Sequence, residues 1–109
     1  MEKHFKLTYL LDIYGALLTD KQNNVLSLFY NEDYSMSEVA SELKVSRQAA
    51  FDLIRRSENI LLEYDEKLML FEKYLGNLAL CEQLEENLQG DKFDRSVVDS
   101  LIENIKNNL

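Results

Sequence analysis

Proline is absent from the 109 residues, and glycine occurs only three times, at Gly15, Gly76 and Gly90. Little in the chain interrupts a helix, and few residues favour the tight turns of hairpins. Runs of strand formers flanked by turn residues are also missing. The chain is therefore expected to be all-α. Cys81 is the only cysteine, so no internal disulfide can form and a reducing compartment is expected. No apolar run reaches the length of a membrane span, and the N-terminus has no signal-peptide cleavage pattern. These absences give the expectation of a cytoplasmic protein without membrane insertion.

Chemistry-bearing residues are equally scarce. His4 is the only histidine and lies near a terminus, where it is expected to be solvated. Cys81 stands in a Leu-rich segment with no histidine nearby in sequence, and reads as a small buried apolar residue. There is no glycine-rich loop to cradle phosphate and no Cys/His spacing to hold a metal. Acidic pairs such as Glu32/Asp33, Asp65/Glu66 and Glu85/Glu86 are neighbours. On a helix their side chains diverge, so they are expected to be solvated charges. No enzyme, cofactor, metal or small-molecule substrate is expected.

What the chain does have is acid. The formal charge is −8, unevenly spread. Residues 1–43 carry seven acids and three bases, and residues 57–109 carry twelve and five. Between them lies one basic island, with Lys44, Arg47, Arg55 and Arg56 against Asp52. Proteins that bind nucleic acid everywhere and loosely have a broad basic face. This chain offers a small patch, and its acidic C-terminal half opposes phosphate.

Helix signals punctuate the sequence. Phe5, Leu7, Leu10, Leu11, Tyr14, Leu17 and Leu18 give a first amphipathic helix over 3–18. Thr19 and Gln22 have capping-box spacing before a second helix carrying Val25, Leu26, Leu28 and Phe29. Ser35 and Glu38 repeat that spacing before a short helix, roughly 36–43. "KVS" then forms a three-residue turn, and Ser46 is placed to cap the next helix. Two short helices joined in this way make a helix-turn-helix within 19–60. Val39, Ala40 and Leu43 would face inward, Val45 would plug the turn, and Ala50 with Leu53 or Ile54 would face inward from the second helix. Lys44 holds a turn position that favours positive φ, where a lysine costs about 1 kcal/mol.

The second helix is expected to run on over about 47–75, some 43 Å. A heptad stripe supports this, with Ile54, Leu61, Leu68 and Leu75 on one position and Ala50, Ser57, Tyr64, Phe71 and Leu78 on the other. Such a stripe must pack on something, either the chain's own terminal helices or a second copy. A homodimer through Ile54, Leu61, Tyr64, Leu68, Phe71 and Leu75 is accordingly expected. Gly76 and Asn77 would bend or end the rod. A C-terminal helical extension over 78–109 follows, with Gly90 as a stop between its two helices. Six helical segments in a single domain, 1–109, are expected.

The outward face of the second helix carries Arg47, Gln48, Asp52, Arg55 and Arg56. Arginine and glutamine suit base edges because each can make paired hydrogen bonds. Ser46 and the helix N-terminus suit a phosphate. Most aromatic residues fall on apolar stripes and read as core. Phe51 is the exception, one residue beyond Ala50 and partly exposed on the reading helix.

The string "SMSEVASELKVSRQAAFDLIRRSE" resembles the DNA-reading C-terminal region of sigma factors. Over nearly the whole chain, "LLDIYGALLTDKQ", "LFYNEDYSMSEVA", "VSRQAAFDLIRRSE" and the acidic Leu-rich tail resemble the YlxM family. That resemblance implies a small helix-turn-helix protein acting in, or regulating, the signal recognition particle pathway. It implies a reading helix at 46–57 with Arg47, Gln48, Arg55 and Arg56 as nucleic-acid contacts. Lys44, where sigma-type turns commonly have glycine, and Ser46 complete the expected set. The implied partners are RNA or DNA and the particle's GTPase. Two alternatives stand beside this reading. One is a dimeric transcription regulator reading duplex DNA. The other is a protein-interaction module that works through its acidic helical rod.

Overall fold

A computed structural model describes residues 3–90 and 94–109. Among these residues the regular structure is helical: α1 (Lys3–Tyr14), α2 (Asp20–Leu26), α3 (Met36–Leu43), α4 (Arg47–Leu68), α5 (Leu70–Gln89) and α6 (Arg95–Asn107). A 3₁₀ turn, Gly15–Leu17, closes α1, and a π-helical turn, Ser27–Asn31, extends α2. The expected caps are in place. Thr19 and Ser35 each accept from the backbone N–H three residues on, and Gln22 and Glu38 reciprocate. These capping boxes satisfy donors that a helix start leaves unpaired.

The described residues form two compact units rather than the expected single domain, divided between Met69 and Leu70. In the first unit, α1, α2 and α3 pack on α4. Leu7, Leu10, Tyr14, Val25, Leu26, Val39, Ala50 and Leu61 are almost fully buried there. In the second unit α5 packs on α6, and Val98 and Leu101 are buried. Asn108 Nδ2 donates to Asn77 Oδ1 at 2.9 Å within this pair.

The rod expected over 47–75 is shorter. α4 spans 22 residues, about 33 Å, and ends at Leu68. Met69 takes a left-handed conformation, φ 56° and ψ 29°, and its N–H bonds Asp65 O. A left-handed residue just past the last turn is a common helix stop. Here a methionine adopts it without the glycine that would announce it. Gly76 and Asn77, the expected break, lie inside α5.

Burial corrects three further expectations. Val45 does not plug the turn and is exposed. Cys81 is exposed, not buried. Asp65 is buried rather than solvated, and so is Glu58. A carboxylate removed from water needs partners. Tyr14 Oη donates to Asp65 Oδ1 at 2.8 Å, and Lys6 Nζ stands 3.8 Å from Asp65 Oδ2. Tyr30 Oη donates to Glu58 Oε2, with Lys3 Nζ 4.0 Å from Glu58 Oε1. The two acids are seven residues apart on α4. Each is met by one tyrosine and one α1 lysine, so α4 is pinned in register along α1. Ser57, the polar break in the heptad stripe, is fully buried and donates to Leu53 O at 2.7 Å.

Candidate nucleic-acid interface

The helix-turn-helix is built from α3, the turn at residues 44–46, and the first turns of α4. Lys44 stands at φ 58° and ψ 44°, the left-handed geometry expected of it. Lys44 N–H bonds Ser41 O at 3.2 Å and Val45 N–H bonds Ala40 O at 3.0 Å. This nested pair is a Schellman motif, which ends α3 and turns the chain sharply. Ser46 then caps α4, its Oγ accepting from Ala49 N–H at 3.0 Å. The cap engages one of the free donors at the helix start. Ala40, Ala50 and Ile54 are buried, as expected for helices in close approach, and Leu43 and Leu53 are half-buried.

Every residue of the expected contact set is solvent-facing. Lys44, Ser46, Arg47, Gln48, Arg55 and Arg56 are all exposed. They occupy the turn and the first three turns of α4, with Gln48, Arg55 and Arg56 on the side away from Ala50 and Ile54 and Arg47 exposed at the first position of the helix. Among the described residues none of the four cations forms an ion pair, whereas Lys3, Lys6 and Arg95 do. Asp52 sits amid this face and organises part of it. Gln48 Nε2 donates to Asp52 Oδ1 at 2.9 Å, and Arg56 Nε donates to Asp52 O at 3.3 Å. Gln48 is thus tied to its neighbour in the free protein. One amide N–H is thereby engaged, and its second N–H and its Oε1 stay available to a base edge.

Phe51 stands at the centre of the face and is 40% exposed. The Arg55 guanidinium lies 5.6 Å from its ring centroid, within the range of a cation–π contact. Two shallow depressions share Phe51. One is lined by Met36, Arg47 and Gln48, the other by Asp52, Arg55, Arg56 and Asn59. The partial exposure of Phe51 was legible in the sequence. The hollow that it shares with Met36 was not, because Met36 comes from α3.

The expected dimer stripe is largely consumed within the chain. Ile54 and Leu61 belong to the core of the first unit, and Phe71 is buried. Tyr64 stacks on Tyr14 at a centroid distance of 6.0 Å, and Leu75 is half-buried. Leu68 alone of the six is exposed, at 48%. The stripe's period is real, but in the first unit Ile54, Leu61 and Tyr64 are already taken up by packing within that unit.

This architecture defines a helix-turn-helix protein. Comparison with known sequences gives the particular family. The model of the UPF0122 family, described as "Putative helix-turn-helix protein, YlxM / p13 like", matches residues 1–101. The chain belongs to that family. The UPF0122 protein YlxM of Bacillus subtilis is 41% identical over 103 residues, covering 94% of this chain and 93% of the relative. A UPF0122 protein of Exiguobacterium sp. is 44% identical over 106 residues, covering 97% and 98%. One from Clostridium perfringens is 43% identical over 111 residues, covering 98% and 99%. No helix among the described residues is long and apolar enough to cross a membrane.

Proposed function

We propose that this chain is a non-enzymatic, cytoplasmic regulatory factor of the signal recognition particle pathway that contacts nucleic acid through its helix-turn-helix. One observation carries the contact: Lys44, Arg47, Arg55 and Arg56 are exposed together and hold no ion pair among the described residues. Cations left uncompensated in an acidic chain suit phosphate. The pathway assignment rests on the family resemblance, with the particle's RNA as the nucleic acid and its GTPase as a further partner. A helix fits the narrow major groove of an RNA duplex poorly, so contact with RNA would run through loops and backbone.

The test is fluorescence anisotropy at low and moderate salt with labelled particle RNA and a random DNA duplex. Wild type should bind the RNA. The double variant Arg55→Ala/Arg56→Ala should bind weakly. Its slope of log K against log salt should be flatter by about 1.4–1.8, the counterions of two phosphate contacts. If wild type ignores both nucleic acids at low salt, the reading is wrong, and the acidic helices become the first surface to test for protein partners. Tight binding to one DNA sequence would favour the transcription regulator instead. In that case Gln48→Ala should change sequence preference and Arg55→Ala should weaken binding to all sequences.

A further inference from the structure

The four cations of the interface do not account for the phenylalanine at its centre. Phe51 lies outside the core of the first unit, and 40% of it faces solvent. Arginines that neutralise phosphate need no aromatic ring between them. The ring's surroundings are particular. One turn before it, Arg47 and Gln48 with Met36 of α3 line a hollow that reaches Phe51. One to two turns after it, Arg55, Arg56 and Asn59 line another. Arg55 holds its guanidinium 5.6 Å from the ring centroid, so one flank of the ring is occupied by a stacked cation. The first hollow is lined by the apolar Met36 and Phe51 and the polar Arg47 and Gln48. It is open and shallow.

We infer that Phe51 is a stacking platform for an unpaired nucleobase, entering the hollow between Phe51, Met36, Arg47 and Gln48. The inference rests on the proposed nucleic-acid contact and narrows its ligand to nucleic acid with a base free of its stack. Three features fit that ligand. Aromatic faces take any base, because every base has a π-face, and arginines beside them hold the backbone. The Arg55 guanidinium, 5.6 Å from the ring centroid, adds a cation–π contact to the same ring. The Gln48–Asp52 hydrogen bond holds the Gln48 amide beside the ring, with its second N–H and its Oε1 left for the edge of a stacked base. A paired, stacked duplex base could meet the Phe51 ring only edge-on, for instance through a thymine methyl. The single-stranded loop of an RNA and that of a DNA hairpin share the required chemistry.

The test uses the full chain and four probes of one sequence. They are an RNA hairpin and a DNA hairpin with 2-aminopurine in a single-stranded loop, and fully paired RNA and DNA duplexes. Wild type should prefer the hairpins and quench the 2-aminopurine on binding. Phe51→Ala should lose roughly tenfold in hairpin affinity, the size of one base–aromatic stack, and keep its duplex affinity. Phe51→Trp should restore both hairpin affinity and quenching. This rescue separates stacking from any effect of the alanine on folding. Preference for the RNA hairpin, or equal use of both, supports the platform and assigns its source. Two results overturn stacking while leaving nucleic-acid binding intact. They are equal wild-type affinity for hairpins and duplexes without quenching, and an equal loss by Phe51→Ala on both kinds of probe. Failure of wild type to bind any probe overturns the nucleic-acid reading and stacking with it.

Discussion

At the scale of single residues, the buried carboxylates set the energetics of the first unit. Glu58 is nearly inaccessible, and the Tyr30 hydroxyl is its buried donor. A hydrogen bond to a charged group is worth about 1.5–3 kcal/mol. Tyr30→Phe should therefore lower stability by about that amount in urea unfolding near neutral pH. Alkali adds a second signature. Burial first, then the hydrogen bond and charge of Glu58, push the Tyr30 phenol well above its ordinary value of 10.0. A group whose folded pKa is raised contributes stability below its unfolded pKa and loses it as pH rises. The unfolded phenol ionises above about pH 10 while the folded one keeps its proton. Wild type should thus lose stability above that pH, and the gap to Tyr30→Phe should narrow. A gap independent of pH would refute the coupling. Lys44 makes a prediction of opposite sign. Its left-handed backbone suits glycine, so Lys44→Gly should raise the midpoint of thermal unfolding by the equivalent of about 0.5–1 kcal/mol. A lower midpoint would show that the lysine side chain contributes more than the strain costs.

At the scale of elements, local rules were legible and long-range ones were not. The capping boxes at Thr19 and Ser35, the cap at Ser46 and the strained turn at Lys44 are each written in three or four neighbouring residues. All four stand as read. The outward direction of Gln48, Arg55 and Arg56 followed from the inward Ala50 and Ile54 one turn apart, whereas Arg47 shares their face by spacing and is exposed at the first position of the helix. The end of α4 did not follow. The heptad stripe runs through Met69 without a missed beat, because Leu68 and Leu75 keep the period on both sides of the break. No glycine or proline marks the place. Partners for Glu58 and Asp65 were hidden for a different reason: Tyr30 and Tyr14 lie 28 and 51 residues away in sequence. Gly76 decides between the expected and the observed helix. It lies inside α5, and an added Cβ would meet only Asn108 Nδ2, at 3.7 Å. Gly76→Ala should stabilise the chain by up to about 1 kcal/mol, the helix-propensity difference. Had glycine been needed there to end or bend a helix, the alanine would destabilise. Guanidinium unfolding of the two proteins reads the sign directly.

At the scale of the whole molecule, the division between Met69 and Leu70 separates two kinds of construction. Residues 1–69 bury the hydrophobic sides of α1–α4 on one another, pin α4 with two buried acids, and carry the entire helix-turn-helix. They also hold all four interface cations. Residues 70–109 bring eight acids and four bases, so removing them takes the formal charge from −8 to −4. Negative charge anywhere on a protein slows the approach of nucleic acid, and salt screens that effect. A fragment of residues 1–69 should therefore unfold in a single cooperative transition with its helices intact. It should bind RNA several-fold more tightly than the full chain at low salt, and equally at moderate salt. Circular dichroism during heating tests the first statement, and anisotropy titrations at two salt concentrations test the second. A fragment that folds but binds more weakly at both salts would mean that α5 or α6 supplies contacts of its own. The nucleic-acid surface would then have to be extended beyond α4. A fragment that fails to fold would show that the first unit's core, closed as it is, depends on the helices that follow it.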